Sequence, residues 1–258
     1  MKGLLIWLFL ALISFNLAAA QEKKWQAEKS THFIIHYKSS SEDFIRQLAE
    51  KSEVYYNKIA EDLGFIRFNF WLWDNRAHIY VYDDAKDYQV ATGQPEWSAG
   101  SAVPGHKAIY TYSGSQNFFA TVLPHEMGHI IFREFVGFNN PAVPIWLDEA
   151  VASYQMDVQK ASADPAVKQA IQNESFMSIE ELSGYNPLLM KDEARVSLFY
   201  LEAISILNYL IKEFGKDSFV LFCQNLRDKR DLDRAFASAY PFENIRQLDQ
   251  SWQEHLNR

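Results

Sequence analysis

Two histidines and a glutamate within residues 123–132 have the types and spacing of a metal-dependent hydrolytic site. His125 and His129 are four residues apart, so on a helix they share one face and both imidazoles can reach one metal ion. Glu126 directly follows the first histidine, so it cannot easily share the metal but can reach a water molecule at that metal. In this arrangement two side chains hold an ion and a carboxylate takes a proton from water.

The residues around this pattern indicate a buried helix rather than an exposed one. The apolar positions are Val122, Leu123, Ile130, Ile131, Phe132 and Phe135. Buried polar groups are costly unless they are satisfied, so three of them on a core helix need a shared purpose. The pattern His-Glu-x-x-His arises by chance in roughly one chain of this length in a hundred or fewer. We therefore interpret the helix as a metal site and not as a core helix with satisfied histidines.

A catalytic metal site of this kind needs a third protein ligand. One known arrangement has a third histidine six residues after the second, but that position holds Phe135. Another uses a glutamate on a following helix, and Glu149, 20 residues after His129, is available. Residues 137–144 leave room for a loop before a returning helix. The neighbouring Asp148 stays open as a partner of the site or as a competing ligand.

These motifs resemble the gluzincins, a group of zinc peptidases that includes thermolysin and the zinc aminopeptidases. The second helix of gluzincins carries an Asn-Glu-Gly/Ala pattern whose glutamate binds zinc. Residues 148–150, Asp-Glu-Ala, match this pattern except at the asparagine position. The resemblance implies one Zn²⁺ per chain, held by His125, His129 and Glu149, with Glu126 as the general base.

The later part of the chain is similar to a small bacterial family described as peptidase MA-like. That family has a Tyr-x-x-Ser/Ala-x-Ser-hydrophobic helix ending in Tyr/Phe-Gly, and residues 200–215 look like it. An amphipathic helix containing alanine and then a helix with tryptophan match residues 235–252. The resemblance covers nearly all of the chain after residue 20 and implies that peptides or proteins are the substrates.

Two further roles follow from the resemblance. Related enzymes place a tyrosine or histidine on a later helix to stabilise the oxyanion, and Tyr200 holds that position, with His106 and Arg195 as the next candidates. Gluzincins also bind extended peptide along an edge strand before the metal helix, and residues 107–112 occupy that place. Simple packing by Tyr200 and an ordinary sheet strand are the alternatives at these two positions.

Three functions are compatible with the motifs. The favoured one is an endopeptidase, because the sequence lacks the Gly-x-Met-Glu-Asn motif with which zinc aminopeptidases anchor a free amine. A zinc aminopeptidase is the first alternative. A catalytically idle binding module of the cell envelope is the second, and the retained Glu126 argues against it because binding alone needs no base.

The order of elements predicts an α+β fold. Strands are predicted at residues 31–37, 77–82 and 107–112, and a loop at 91–105. A helix is predicted after Ser39 and Glu42, which have capping-box spacing; its apolar positions run from Phe44 to Leu63, and Gly64 ends it. Further helices are predicted at about 116–136, 146–159, 164–173, 195–214, 216–226, 231–239 and 243–256. Strands therefore precede helices, which predicts a small mixed N-terminal sheet, with an edge strand beside the metal helix, and then a mostly helical half. The resemblance implies a thermolysin-like zincin fold.

The first 20 residues have the pattern of a signal peptide. Lys2 precedes an apolar run at residues 3–17, and three alanines at residues 18–20 stand before Gln21. We expect cleavage there, a catalytic domain at residues 21–258, and a periplasmic or extracellular location. No later segment is predicted to span a membrane.

Composition narrows the partners further. The net charge of −8 argues against nucleic acid, which needs a basic face. Cys223 is the single cysteine, so no internal disulfide can form, and its apolar neighbours predict a buried thiol.

Overall fold

The structure is a computed structural model that describes residues 24–115 and 117–257. The predicted signal peptide, residues 1–20, and the expected cleavage site before Gln21 lie outside the described residues.

Five strands form one mixed sheet at the N-terminal side. They are β1 (Gln26–Lys29), β2 (Phe33–Tyr37), β3 (Ala77–Tyr82), β4 (Gly100–Val103) and β5 (Ala108–Tyr112). Their order across the sheet is β1-β2-β3-β5-β4, with β2, β3 and β5 parallel and the two outer strands antiparallel to their neighbours. Alternate residues of β3, Ala77, Ile79 and Val81, are buried, so one face of the sheet packs on the core.

The prediction of an edge strand was right in kind but wrong in its residues. Residues 108–112 form β5, which lies inside the sheet between β3 and β4. The edge strand on this side of the sheet is β4, which lies in the stretch predicted as a loop. β4 has only four residues, in a stretch rich in glycine and proline. They show no clear alternation of apolar and polar positions, so the sequence gave no signal for this strand. β4 packs against the helix that carries the two histidines.

Helices make up most of the remaining chain, which confirms the predicted α+β class. They are α1 (Glu42–Asp62), α2 (Ala85–Thr92), α3 (Leu123–Val136), α4 (Ile145–Ser153), α5 (Asp157–Gln172), α6 (Ile179–Gly184), α7 (Glu193–Lys229), α8 (Leu232–Ala239) and α9 (Ile245–Leu256). A π-helical turn at Phe118–Val122 leads into α3. The predicted helix at 146–159 is wrong in its extent, because α4 ends at Ser153 and a separate helix, α5, begins at Asp157. The arrangement is consistent with a zincin-like fold.

The helix α7 is the central helix of the C-terminal half and packs against α4, α5 and α8. Gly215 breaks it with φ 81° and ψ 162°, which confirms the predicted division between residues 214 and 216. By length and composition α7 is the one helix among the described residues that could cross a membrane, so the expectation that no later segment qualifies was wrong. Most of its apolar stretch is buried inside the protein, as in the core helix of a globular protein. Cys223 of this helix is free and buried, as predicted.

The helices α3 and α4 approach each other at backbone distance. A Cβ atom placed on Gly128 would lie 2.9 Å from the Cα of Ala152 and 3.3 Å from the Cγ of Gln155. No side chain fits between the helices at this point, so glycine at position 128 sets their separation. The loop between them is fixed by the buried Asn140, whose amide donates to the carbonyls of Val136 and Leu226, both at 2.9 Å.

Substitution of Gly128 by alanine should therefore destabilise the fold. Overpacking costs about 1–3 kcal/mol, and the better helix propensity of alanine returns at most about 1 kcal/mol. We expect a net decrease in the free energy of unfolding on the order of 1–2 kcal/mol, measured by urea denaturation.

Gly184→Ala is the matched control, because a Cβ on Gly184 meets no atom within 4 Å. This variant should be as stable as the parent or slightly more stable. Equal stability of the Gly128→Ala variant and the Gly184→Ala variant would show that the α3–α4 contact is not limiting.

Candidate active site

The three predicted ligands converge between α3 and α4. His125 and His129 lie one turn apart on α3, and their Nε2 atoms are 3.2 Å apart. The Oε2 atom of Glu149, on α4, lies 3.6 Å from Nε2 of His125 and 3.8 Å from Nε2 of His129. The three side chains are only 13–21% exposed. Helix spacing places the two imidazoles together, and the contact at Gly128 brings the carboxylate to them.

These three donor atoms have the separations that a tetrahedral metal ion requires. A zinc ion with bonds of about 2.0–2.1 Å needs its donor atoms about 3.3 Å apart. The observed separations of 3.2, 3.6 and 3.8 Å form a triangle of this size, so small movements of the side chains would seat an ion. Two imidazoles and one carboxylate are also a donor set that zinc accepts in catalytic sites. The residues present therefore fit the group that the sequence predicts.

Asp148 contacts the site from behind His129. Its Oδ1 atom lies 3.2 Å from Nδ1 of His129, the ring nitrogen that points away from the donor triangle. Its Oδ2 atom accepts from Arg133, at 3.0 Å from Nε and 2.9 Å from Nη2. Asp148 thus contacts His129 as an ion pair and Arg133 by hydrogen bonds, both outside the triangle, an arrangement that orients the ring of His129.

Burial and neighbouring charges move the pKa values of the two histidines in opposite directions. Burial, followed by the positive charge of His129, lowers the pKa of His125 to about 3. Burial alone would also lower the pKa of His129, yet the surrounding carboxylates, led by Asp148, raise it to about 9. In the metal-free protein at neutral pH the imidazole pair therefore carries one positive charge, from the extra proton on His129. Any ion that binds the pair must displace this proton.

The pKa values of the three carboxyl groups of the site also move in different directions. Burial raises the pKa of Glu149, and it also raises the pKa of Glu126. Asp148 is the exception, because His129 and Arg133 outweigh the effect of burial and lower its pKa. The backbone N–H of Ala102 in β4 is near enough to the carboxylate of Glu126 to lower its pKa in part. The edge of the sheet thus touches the predicted base directly.

A cleft of about 590 Å³ opens beside His125 and Glu126. Tyr200 of α7 lines it together with these two residues. Burial, and then the charges of Glu149 and Glu126, raises the pKa of Tyr200 to about 12, so its phenol keeps its proton at neutral pH. The residues that line the cleft include neither His106 nor Arg195, the other two candidates for the oxyanion donor.

Three contributions to the site were not anticipated from the sequence. Arg133 lies one turn beyond His129, and a cation at that spacing is the signal that could have identified it. Gly128 lies between the two histidines, and a small residue there could have indicated close helix packing. The contact of Ala102 with Glu126 had no signal, because it depends on where β4 pairs in the sheet.

Comparison with known proteins identifies the family of this chain. A family model described as Peptidase MA superfamily matches residues 73–258. A search of curated proteins found no match. The matched segment is well over half of the chain and includes α3, α4 and α7, which carry the site. Membership of this family supports a peptidase-type hydrolase at the level of its general class. The chain therefore belongs to the Peptidase MA superfamily.

Proposed function

We propose that this protein is an exported, zinc-dependent endopeptidase. The observation that carries the proposal is the triangle of His125 Nε2, His129 Nε2 and Glu149 Oε2, with the carboxyl group of Glu126 beside it in an open cleft. Export rests on the signal-peptide pattern of residues 1–20, which predicts a mature chain beginning at Gln21.

Three side chains serve as ligands in this proposal, and one of them is held by neighbouring charged groups. His125, His129 and Glu149 would hold one zinc ion, and Asp148 and Arg133 would keep the ring of His129 in place. When bound, zinc supplies Lewis acidity that lowers the pKa of water and polarises a carbonyl group.

Glu126 acts as the general base in this proposal. It is adjacent to the ligands without being one of them, and it lines the cleft. Its carboxylate takes a proton from the attacking water and then delivers it to the leaving amine nitrogen. Burial raises its pKa above the ordinary value of a glutamate, which favours the uptake of the proton.

Tyr200 acts as the donor to the carbonyl oxygen as negative charge develops on it. Its phenol is protonated at neutral pH, and it lines the same cleft as Glu126. A donor in this position stabilises the transition state more than the bound substrate.

The edge strand β4 provides a place for the peptide backbone. One side of β4 pairs with β5, the strand packs against α3, and its first residue, Gly100, lines the cleft, so its unpaired side is available beside the site. An extended peptide added to this edge is held by backbone hydrogen bonds. A backbone-held chain that runs past the catalytic residues suits cleavage within a peptide, which favours an endopeptidase.

Glu126→Gln should retain the fold and the zinc content but lose peptide hydrolysis. The amide has nearly the shape of the carboxylate, yet it cannot accept the proton. Because a positioned acid–base group contributes about 10²–10⁴-fold, we expect kcat/KM to fall by at least about 10²-fold. The measurement is cleavage of a diverse peptide library by the exported mature protein, whose first residue is expected to be Gln21.

Glu134→Gln on the same helix is the matched control. Glu134 accepts from the indole of Trp71, a contact that glutamine can keep, and it does not line the cleft. This variant should cleave like the parent protein. Undiminished cleavage by the Glu126→Gln variant would remove Glu126 from the mechanism.

Tyr200→Phe should lower kcat more than it raises KM. The lost hydroxyl acts only when charge builds on the carbonyl oxygen, and one such donor is worth about 10²–10³ in rate. Steady-state kinetics on one good peptide measures both constants. Tyr185→Phe is the control, because Tyr185 stacks on Phe199 and its buried hydroxyl has no partner among the described residues. Activity of the Tyr200→Phe variant within about twofold of the parent would make Tyr200 a packing residue.

A further inference from the structure

The cleft beside the site has an apolar wall. Four large apolar side chains line it, from the loop before β4, the π-helical turn, the start of α5 and α7: Trp97, Val122, Met156 and Leu201. The polar residues of the lining are small or uncharged, such as Ser98, Thr121 and Gln159. Apart from the phenol of Tyr200, the titratable side chains in the described lining are His125 and Glu126 of the site itself. The walls therefore offer apolar contact area to a substrate side chain, but no charged group that could pair with a charged one.

Trp97 stands out because its large side chain is 81% exposed at this cleft. Its backbone is nevertheless fixed. Ser98 donates its N–H to Pro95 at 2.9 Å, which closes a turn with Trp97 in it. The hydroxyl of Ser98 is buried, donates to the carbonyl of Gly100 at 3.0 Å and lies 2.8 Å from the hydroxyl of Tyr88. The indole is thus presented from an anchored turn directly before the edge strand.

We propose that Trp97 and the apolar wall form a subsite for a bulky apolar side chain of the substrate, preferably an aromatic one. This inference rests on the proposed function, and it specifies the class of peptide that the site takes. A peptide paired with β4 would carry its side chains past the indole, because Trp97 lies three residues before the first residue of that strand. An aromatic or large aliphatic group there buries apolar surface against the indole.

The same wall excludes charged side chains. A carboxylate or ammonium group entering the subsite would lose water and find no partner of opposite charge. Two effects should therefore produce the selectivity: apolar side chains gain contact area, and charged side chains lose hydration without gaining a partner. We expect at least about a tenfold preference for phenylalanine over aspartate or lysine, the size of effect that one good apolar contact supplies.

The test uses blocked hexapeptides of alanine and serine in which phenylalanine, aspartate or lysine is placed at each position in turn. Binding is measured by calorimetry on the zinc-loaded Glu126→Gln protein, alone and combined with Trp97→Ala, Trp97→Phe or Trp73→Ala. Trp73 is the matched control, since it is 79% exposed and does not line the cleft. Trp97→Ala should reduce the preference for phenylalanine about tenfold or more, whereas Trp97→Phe and Trp73→Ala should retain most of it.

Equal binding of the three peptide sets, or a preference that survives Trp97→Ala unchanged, would overturn the subsite. Cleavage of the same peptides by the protein with Glu126 intact tests the proposed function separately. Selective binding without cleavage supports the subsite and contradicts the peptidase. Cleavage with no preference for phenylalanine at any position supports the peptidase and overturns the subsite.

Discussion

The close approach of α3 and α4 at Gly128 is the contact on which the site depends. The two histidines lie on one helix and Glu149 on the next, so their donor atoms meet only if the helix axes are close. The absence of a side chain at Gly128 permits this, because a Cβ there would lie only 2.9 Å from the Cα of Ala152. Asn140 fixes the connecting loop to α7, and Arg133 joins α3 to Asp148 of α4. Packing and electrostatics thus hold the same pair of helices together.

The charges enclosed by these helices explain why a metal suits the site. Glu126, Asp148 and Glu149 are mostly buried side chains close to one another, and like charges in such a place destabilise the fold. Arg133 compensates Asp148, and a proton on His129 compensates part of the remainder. A divalent cation between the imidazoles and Glu149 would replace that proton with a larger positive charge. The proposed ligands are therefore also the groups with most to gain electrostatically from an ion.

The sequence predicted the parts of the site that follow from local periodicity. The four-residue spacing of His125 and His129 fixes their common face, and the apolar residues around them identified a buried helix. The return helix carrying Glu149 was also predictable, because residues 137–144 are too short for any longer excursion. The division of α7 at Gly215 followed from a single glycine in a helical pattern.

Features that depend on pairing between distant segments were not predictable in the same way. The strand β4 has four residues and no alternation, so its place at the edge is set by its pairing with β5. Residues 108–112 look like a strand in any position, and the sequence could not show that β4 covers their free side. The contact between Asp148 and Arg133 likewise required the separation of α3 and α4, which no local pattern gives.

The central claim is that Glu149, and not Asp148, completes the metal site. The direct measurement is the zinc content of the purified protein by elemental analysis, for the parent, Glu149→Ala and Asp148→Ala proteins. The account predicts about one zinc per chain in the parent, loss of zinc from the Glu149→Ala protein, and a retained but about 10–100-fold weaker site in the Asp148→Ala protein. Loss of zinc from the Asp148→Ala protein, with a full complement in the Glu149→Ala protein, would contradict it.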